Sequence, residues 1–295
     1  MIRVRRITHA TFETPDLEAQ LDHYARVLGL TVVERDGNRA FLSAGNDHHT
    51  VVLQKGTDAR CVRLGFQLGG NDDLADFARH VEGHGIATAR KSDSQPGVSD
   101  LLSFTDPKGT LIEVFRNQEA SPQPFGKTGI LPHKLGHIAF NVTDLGSALR
   151  FYCDVLGFRE SDWLADFFAF LRCNADHHAI NLVSGERVKM HHIAFELKDF
   201  AHIGAACDAL AAENIPLIWG PVRHGIGHNI SVYYRNPDGQ IIELFTEIDK
   251  MSDEDLGWWE PRPYHEDRFQ KPKVWMPTVP AANIWGIPAP TDFLD

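Results

Sequence analysis

The chain repeats itself, and the repeat limits the architectures open to it. Residues 8–30, THATFETPDLEAQLDHYARVLGL, match residues 136–158, GHIAFNVTDLGSALRFYCDVLGF, at an offset of 128, setting His9 against His137 and Tyr24 against Tyr152. NDHHTVVL (46–53) matches ADHHAINL (175–182) at an offset of 129, with His49 against His178. At that same offset VRLGFQL (62–68) matches HHIAFEL (191–197), with Arg63 against His192. FTDPKGTLIEVF (104–115) matches YRNPDGQIIELF (234–245) at an offset of 130, with Glu113 against Glu243. Four collinear blocks whose offset drifts by only two residues mark a duplicated domain. The stretch SPQPFGKTGILPHK (121–134) reads as the linker. The expected organisation is an N-terminal domain over 1–120, a C-terminal domain over 133–248 and a Trp/Pro-rich tail over 249–295.

Each half divides again. A His- or Arg-bearing strand recurs about 55 residues apart, at His9 and Arg63 and then at His137 and His192. In GHIAFNV the apolar Ile138, Phe140 and Val142 alternate with His137, Ala139 and Asn141, a strand period that puts His137 opposite the bulky side chains. Leu145, Leu149, Tyr152, Val155 and Leu156 then share one helical face, with Thr143 or Asp144 as N-cap and Gly157 as stop. FRESDWL, FFAFLRC and HAINLVS follow as strands. Residues 189–247 repeat the order, with a helix over roughly 202–214. The expected fold is α+β: four βαβββ modules paired into two barrel-like domains, each curled around a pocket.

Composition narrows the function. A net charge of −11 in 295 residues argues against nucleic acid or an anionic membrane surface as partner. No apolar run approaches the length of a membrane span, and MIRVRRITHATFE lacks the apolar stretch of a signal peptide. Cys61, Cys153, Cys173 and Cys207 are widely spaced and read as buried reduced thiols, which points to the cytoplasm.

Strand alternation aims His137, His192 and Glu243 at one concave face. Two neutral imidazoles and one carboxylate from three strands can occupy one face of an octahedron and leave positions for further ligands. The first half keeps His9 and Glu113 but has Arg63 in the third place, and a guanidinium cannot ligate a metal. That half therefore reads as a degenerate, non-catalytic copy in which Arg63 pairs with Glu113. His178, His224 and Tyr233 fall close enough to the triad to serve proton transfer. His191, next to His192, is expected to point away from the metal, and His177, next to His178, to lie at the surface or just behind the site.

The run GPVRHGIGHNISVYYRNPDGQIIE, with LGHIAF and MHHIAFEL before it, resembles the signature of extradiol ring-cleavage dioxygenases of the catechol 2,3-dioxygenase type, in the vicinal oxygen chelate superfamily. The resemblance covers residues 1–250. It implies Fe(II), with Mn(II) as the alternative ion, held by His137, His192 and Glu243. It also implies an acid–base role for His178, substrate hydrogen bonding by His224 and Tyr233, and cleavage of a small aromatic diol by O2 to a muconic semialdehyde-type product. Relatives of this kind commonly form homo-oligomers, tetramers above all. Two other readings stay open: a glyoxalase-like isomerase or transferase, and a non-catalytic binding protein of the same fold. Near Trp219, where an arginine for a carboxylated substrate is expected, only Arg223 stands, which favours an uncharged catechol. The tail is expected to wrap over the catalytic barrel as a lid or to pack into a subunit interface.

Overall fold

The computed structural model describes residues 2–261, 263 and 272–294. It divides into two compact units. One comprises residues 1–135 with 146–158 and 236–239, and the other residues 136–145, 159–235 and 240–295.

The first unit is built on eight strands: β1 (Val4–Thr14), β2 (Thr31–Asp36), β3 (Arg39–Ser43), β4 (Val51–Lys55), β5 (Arg60–Leu68), β6 (Ala89–Gln95), β7 (Val98–Thr105) and β8 (Leu111–Phe115). They form one sheet in the order β2-β3-β4-β1-β5-β8-β7-β6. Its symmetry is that of two βαβββ modules, β1–β4 and β5–β8, joined where β1 pairs antiparallel with β5. Within each module the first and last strands pair in parallel, β1 with β4 and β5 with β8. A parallel pair needs a crossover, and a helix lies in each one: α1 (Leu17–Asp22) and α2 (Leu74–Gly83). Asp16 and Asp73 cap the two helices by accepting backbone N–H groups.

The second unit repeats the plan with β9 (Lys134–Val142), β10 (Arg159–Leu164), β11 (Phe168–Arg172), β12 (Ile180–Ser184), β13 (Lys189–Glu196), β14 (Leu217–Arg223), β15 (Ile230–Arg235) and β16 (Ile241–Thr246). The crossovers of this repeat carry α3 (Leu145–Arg150), of which all but Leu145 is counted with the first unit, and α4 (Phe200–Ala212). All four βαβββ modules are therefore present. The sheet has nine strands rather than eight, in the order β14-β15-β16-β13-β9-β12-β11-β10 with one more strand beyond β10. The extra one comes from the tail, which folds into a hairpin of β17 (Lys250–Asp253) and β18 (Trp258–Glu260), then β19 (Lys273–Trp275), then a short helix α5 (Val279–Ala282). Strand β19 pairs parallel with the edge strand β10, so a segment without clear periodicity takes its strand conformation from an available sheet edge.

The helix expected over 145–156 is two structures in series. After α3 the backbone widens into a π-helical turn over Phe151–Val155, where Leu156 N–H reaches Phe151 C=O at 3.2 Å. The first half widens in the same way over His23–Val27. A π turn adds one residue to the loop of each hydrogen bond, which hydrophobic periodicity alone does not register. Of the four cysteines, only Cys173 is buried; the others are half-buried, and all are free thiols. No helix of the described residues is long and apolar enough to cross a membrane.

Candidate metal centre

Adjacent strands bring the triad together. Strands β9, β13 and β16 are neighbours in the second sheet and carry His137, His192 and Glu243 respectively. In the β13/β16 register Ala194 stands opposite Glu243 and His192 opposite Ile241. All three side chains are buried. His137 Nε2 lies 3.0 Å from Glu243 Oε2 and 3.2 Å from His192 Nε2, and His192 Nε2 lies 3.1 Å from Glu243 Oε2. Among the described residues this is the group that could hold a metal ion.

The donor set fits a divalent ion. An octahedral centre with bonds of about 2.1 Å sets neighbouring ligand atoms about 3.0 Å apart, whereas a tetrahedral one sets them about 3.4 Å apart. The observed edges of 3.0–3.2 Å match one face of the octahedron. Proton placement supports the same conclusion. His191 Nε2 abuts the carbonyl of Phe293, which can only accept, so that nitrogen carries a hydrogen. His191 Nδ1 is then an acceptor for His192 Nδ1–H at 2.6 Å, and His192 Nε2 is left with a lone pair aimed at a carboxylate oxygen. Two facing lone pairs repel unless a cation sits between them. Metal-ligating histidines usually donate their other N–H in this way.

Glu243 is held by its second oxygen. Oε1 accepts from Ser231 Oγ at 2.6 Å and from Asn229 Nδ2 at 3.1 Å, which leaves Oε2 for the metal face. Burial alone would raise this carboxyl, but the imidazoles of His137 and His192 outweigh it and hold Glu243 well below its ordinary pKa. Burial likewise lowers His192, against the opposing pull of Glu243.

The other candidate residues gather around the triad. His178 lies in the connection between β11 and β12 rather than on the strand, its ring 4.2 Å from that of His137 in an edge-to-face contact. Tyr233 on β15 pairs across the strands with Glu243. His224 follows β14, and its Nε2 lies 2.7 Å from Tyr233 Oη. Because His224 Nδ1 donates to Ala282 C=O at 2.6 Å, Nε2 accepts from the tyrosine hydroxyl. Burial pushes the Tyr233 phenol well up, with Glu243 adding to the effect, and pushes His178 and His224 down. All three stay neutral at pH 7.

A cavity of ≈ 120 Å³ opens on the triad. Its walls are largely apolar, among them Leu164, Phe168, Phe170, Ile226 and Trp219, and among the described residues neither Lys nor Arg lines it. The tail supplies the rest, including Ala281, Phe293 and Leu294. It is anchored there by Asn141 Nδ2 donating to Leu294 C=O at 2.9 Å and by the carbonyl contacts of His191 and His224. Part of the tail thus forms a wall of the cavity. Arg223 stays out of the cavity, paired with Glu247 at 2.6 Å and set over the Trp285 ring.

One expectation needs correction. His191 does not point away: it lines the cavity and touches both His192 and Phe293. Of the two places expected for His177, the surface and the layer behind the site, it takes the second, fully buried and in contact with His178. The sequence reading did not single out Asn229 and Ser231; their positions on either side of Ile230, where the strand next to Glu243 begins, were the available signal.

The first half has an arginine in the place of His192. In the β5/β8 register Arg63 faces Leu111 and Gly65 faces Glu113, matching His192/Ile241 and Ala194/Glu243. Arg63 Nη1 donates to Glu113 Oε1 at 3.1 Å, as the sequence suggested. His9 Nε2 and Gln95 Nε2 approach Glu113 Oε2 at 3.4 and 3.2 Å. His9 also lies over Gly65 so closely that a Cβ there would fall 2.1 Å from its ring.

The family model of the Glyoxalase/Bleomycin resistance protein/Dioxygenase superfamily matches residues 6–114 and 134–244. The chain belongs to that superfamily. Its two matched segments coincide with the two sheets, and the superfamily's curled βαβββ modules are those described above. A manganese-dependent 2,3-dihydroxybiphenyl 1,2-dioxygenase of Geobacillus genomosp. 3 is 26% identical, over 92% of this chain and 93% of that protein. Metapyrocatechase 2 of Cupriavidus necator is 28% identical, over 83% and 82% of the two chains. Among solved structures, the Mn(II)-bound glyoxalase from Novosphingobium aromaticivorans superposes with a TM-score of 0.87 at 27% identity, covering 100% of this chain and 95% of that one.

Proposed function

We propose that this chain is an extradiol dioxygenase that cleaves an uncharged catechol beside its diol with O2, using the second unit as its catalytic domain. The observation that carries the reading is the convergence of His137 Nε2, His192 Nε2 and Glu243 Oε2 within 3.0–3.2 Å at the floor of an aromatic-lined cavity. The relatives named for 2,3-dihydroxybiphenyl and catechol cleavage support it. Residues 1–120 serve as the non-catalytic copy, residues 133–248 carry the chemistry, and the tail 249–295 closes the cavity.

The three ligands suit Fe(II) or Mn(II), and a divalent ion there supplies Lewis acidity toward the diol oxygens and open positions for the diol and O2. The protein groups do the rest. His178 takes and returns a substrate proton. Tyr233, its own hydrogen donated to His224, presents oxygen lone pairs to a substrate hydroxyl. The Phe168/Phe170 pair, stacked at 4.4 Å, and Ile226 hold an apolar ring substituent and exclude water. Among the described residues no Lys or Arg stands in the cavity to pair with a carboxylate on the ring substituent, whose burial there would cost several kcal/mol.

Oxygen uptake by protein reconstituted with Fe(II) or with Mn(II) tests the proposal, against 2,3-dihydroxybiphenyl, catechol and a carboxylated catechol. The expected order is biphenyl diol first and the carboxylated compound last by about 100-fold or more. Preference for the carboxylated compound would refute the substrate class. Absence of O2 consumption with all three, together with turnover of a thiol adduct, would favour the glyoxalase-like reading that the Novosphingobium protein's description suggests. Exposed Val274, Met276 and Ile287 on the tail support a homo-oligomer, which sedimentation would measure.

A further inference from the structure

A buried carboxylate and a second imidazole stand in line behind His178. Asp162 on β10 and His177 are both fully buried. Asp162 Oδ1 accepts the backbone N–H of Lys273 at 2.8 Å, and Oδ2 accepts the indole N–H of Trp275 at 3.1 Å. His177 Nε2 is 3.3 Å from the same Oδ2, and His177 Nδ1 is 2.9 Å from His178 Nδ1. Lys273 and Trp275 belong to β19, whose pairing places Lys273 opposite Asp162.

We propose that Asp162 and His177 are positioning residues that fix the tautomer of His178, leaving its Nε2 lone pair turned to the cavity as the proton acceptor. Both backbone N–H and indole N–H can only donate, so Asp162 acts as acceptor to each. A carboxyl gives up its proton well before an imidazole does, so the hydrogen between Asp162 and His177 belongs to His177 Nε2. With that one hydrogen on His177 placed at Nε2, its Nδ1 is an acceptor. His178 Nδ1 must donate to it. What remains on His178 is Nε2 with its lone pair.

The arrangement does for His178 what a buried aspartate does for the histidine of a hydrolytic triad, with one more imidazole between. The substrate hydroxyl gives its proton to Nε2, and His178 becomes an imidazolium whose Nδ1–H bond to His177 strengthens. Asp162 stabilises that charge from behind without taking up a proton, and the same proton returns from Nε2 when the ring-opened product forms. This step rests on the dioxygenase reading; the tautomer does not.

The first half carries a slackened version. Glu34 occupies the place of Asp162, at the offset of 128 that holds for the first block of the repeat. His48 Nδ1 and His49 Nδ1 are 3.1 Å apart, but His48 Nε2 is 3.9 Å from the Glu34 carboxylate, which is half exposed. The tight form accompanies the complete metal triad, and the loose form accompanies Arg63.

The test uses two variants of His177 in the metal-loaded enzyme. Leucine removes the acceptor, and asparagine keeps an oxygen near the place of Nδ1. His177→Leu is expected to lower kcat by about 100-fold with KM within about threefold and one metal per chain, and His177→Asn to recover to within about tenfold of the parent enzyme. A kcat unchanged in His177→Leu, or His177→Asn as impaired as His177→Leu, would overturn the proposal. Nitrogen-15 NMR of the parent protein loaded with diamagnetic Zn(II) reads the tautomer without turnover and without a variant. A protonated Nδ1 and bare Nε2 on His178 are expected, and a proton on Nε2 would overturn the relay. If no catechol is consumed while the tautomer is as stated, the dioxygenase reading fails and the positioning relay stands.

Discussion

Arg63 Nη1 lies 3.1 Å from Glu113 Oε1, in the same strand register in which His192 Nε2 lies 3.1 Å from Glu243 Oε2. One duplicated scaffold thus holds two buried glutamates and neutralises them differently. In the first half the positive charge is covalently part of the chain. In the second, two imidazoles face the carboxylate and leave room for an ion.

Arg63→Met is expected to destabilise the protein, because Glu113 is left buried beside His9 and Gln95 without its fixed cation. The loss is about 2–4 kcal/mol, read as a lower denaturant midpoint at unchanged slope. Metal content is expected to stay at one ion per chain, since His9 remains over Gly65. Loss of the bound metal in this variant would contradict the division of labour between halves.

Glu243→Gln and His192→Ala are each expected to lower metal affinity by at least about 100-fold and to abolish ring cleavage. Elemental analysis of anaerobically purified protein measures the first effect and oxygen uptake the second. A variant that retains stoichiometric metal and full activity would exclude that residue as a ligand.

Tyr233→Phe removes the hydroxyl that His224 accepts at 2.7 Å. The expected outcome is a fall in kcat of about 10- to 100-fold with KM changed by less than about threefold, because the lost contact matters most while the proton moves. A large rise in KM with unchanged kcat would assign Tyr233 to ground-state binding instead.

His23 sets an acid limit on stability. It is buried beside Tyr24, and burial pushes its pKa down to about 4, with the Asp22 carboxylate opposing. The unfolded chain binds a proton at this residue near pH 6.5, whereas the folded chain resists until about pH 4. Stability is therefore fully present above pH 6.5 and is lost as pH falls toward 4, by about 3 kcal/mol in all. His23→Leu should flatten the pH dependence of the unfolding free energy across that window. An unchanged slope would remove His23 from the account.

Sequence alone determined the duplicated βαβββ plan and the strand face shared by His137, His192 and Glu243, because both depend on local periodicity. A period of two tells which face a side chain takes, and collinear blocks at offsets of 128 to 130 tell which residues correspond. Tertiary structure alone decided what stands behind those three residues. The acceptors for His191 and His224 are the carbonyls of Phe293 and Ala282, and a backbone carbonyl leaves no mark in a sequence. His177 and His178 lie in an irregular connection, where alternation has no force. His191 and His192 do alternate on β13, yet meet at 2.6 Å, because Nδ1 is the ring nitrogen nearest the backbone. Asp162 became part of the site only when β19 returned to pair with β10 across more than a hundred residues of chain, a contact fixed by the free edge of the sheet.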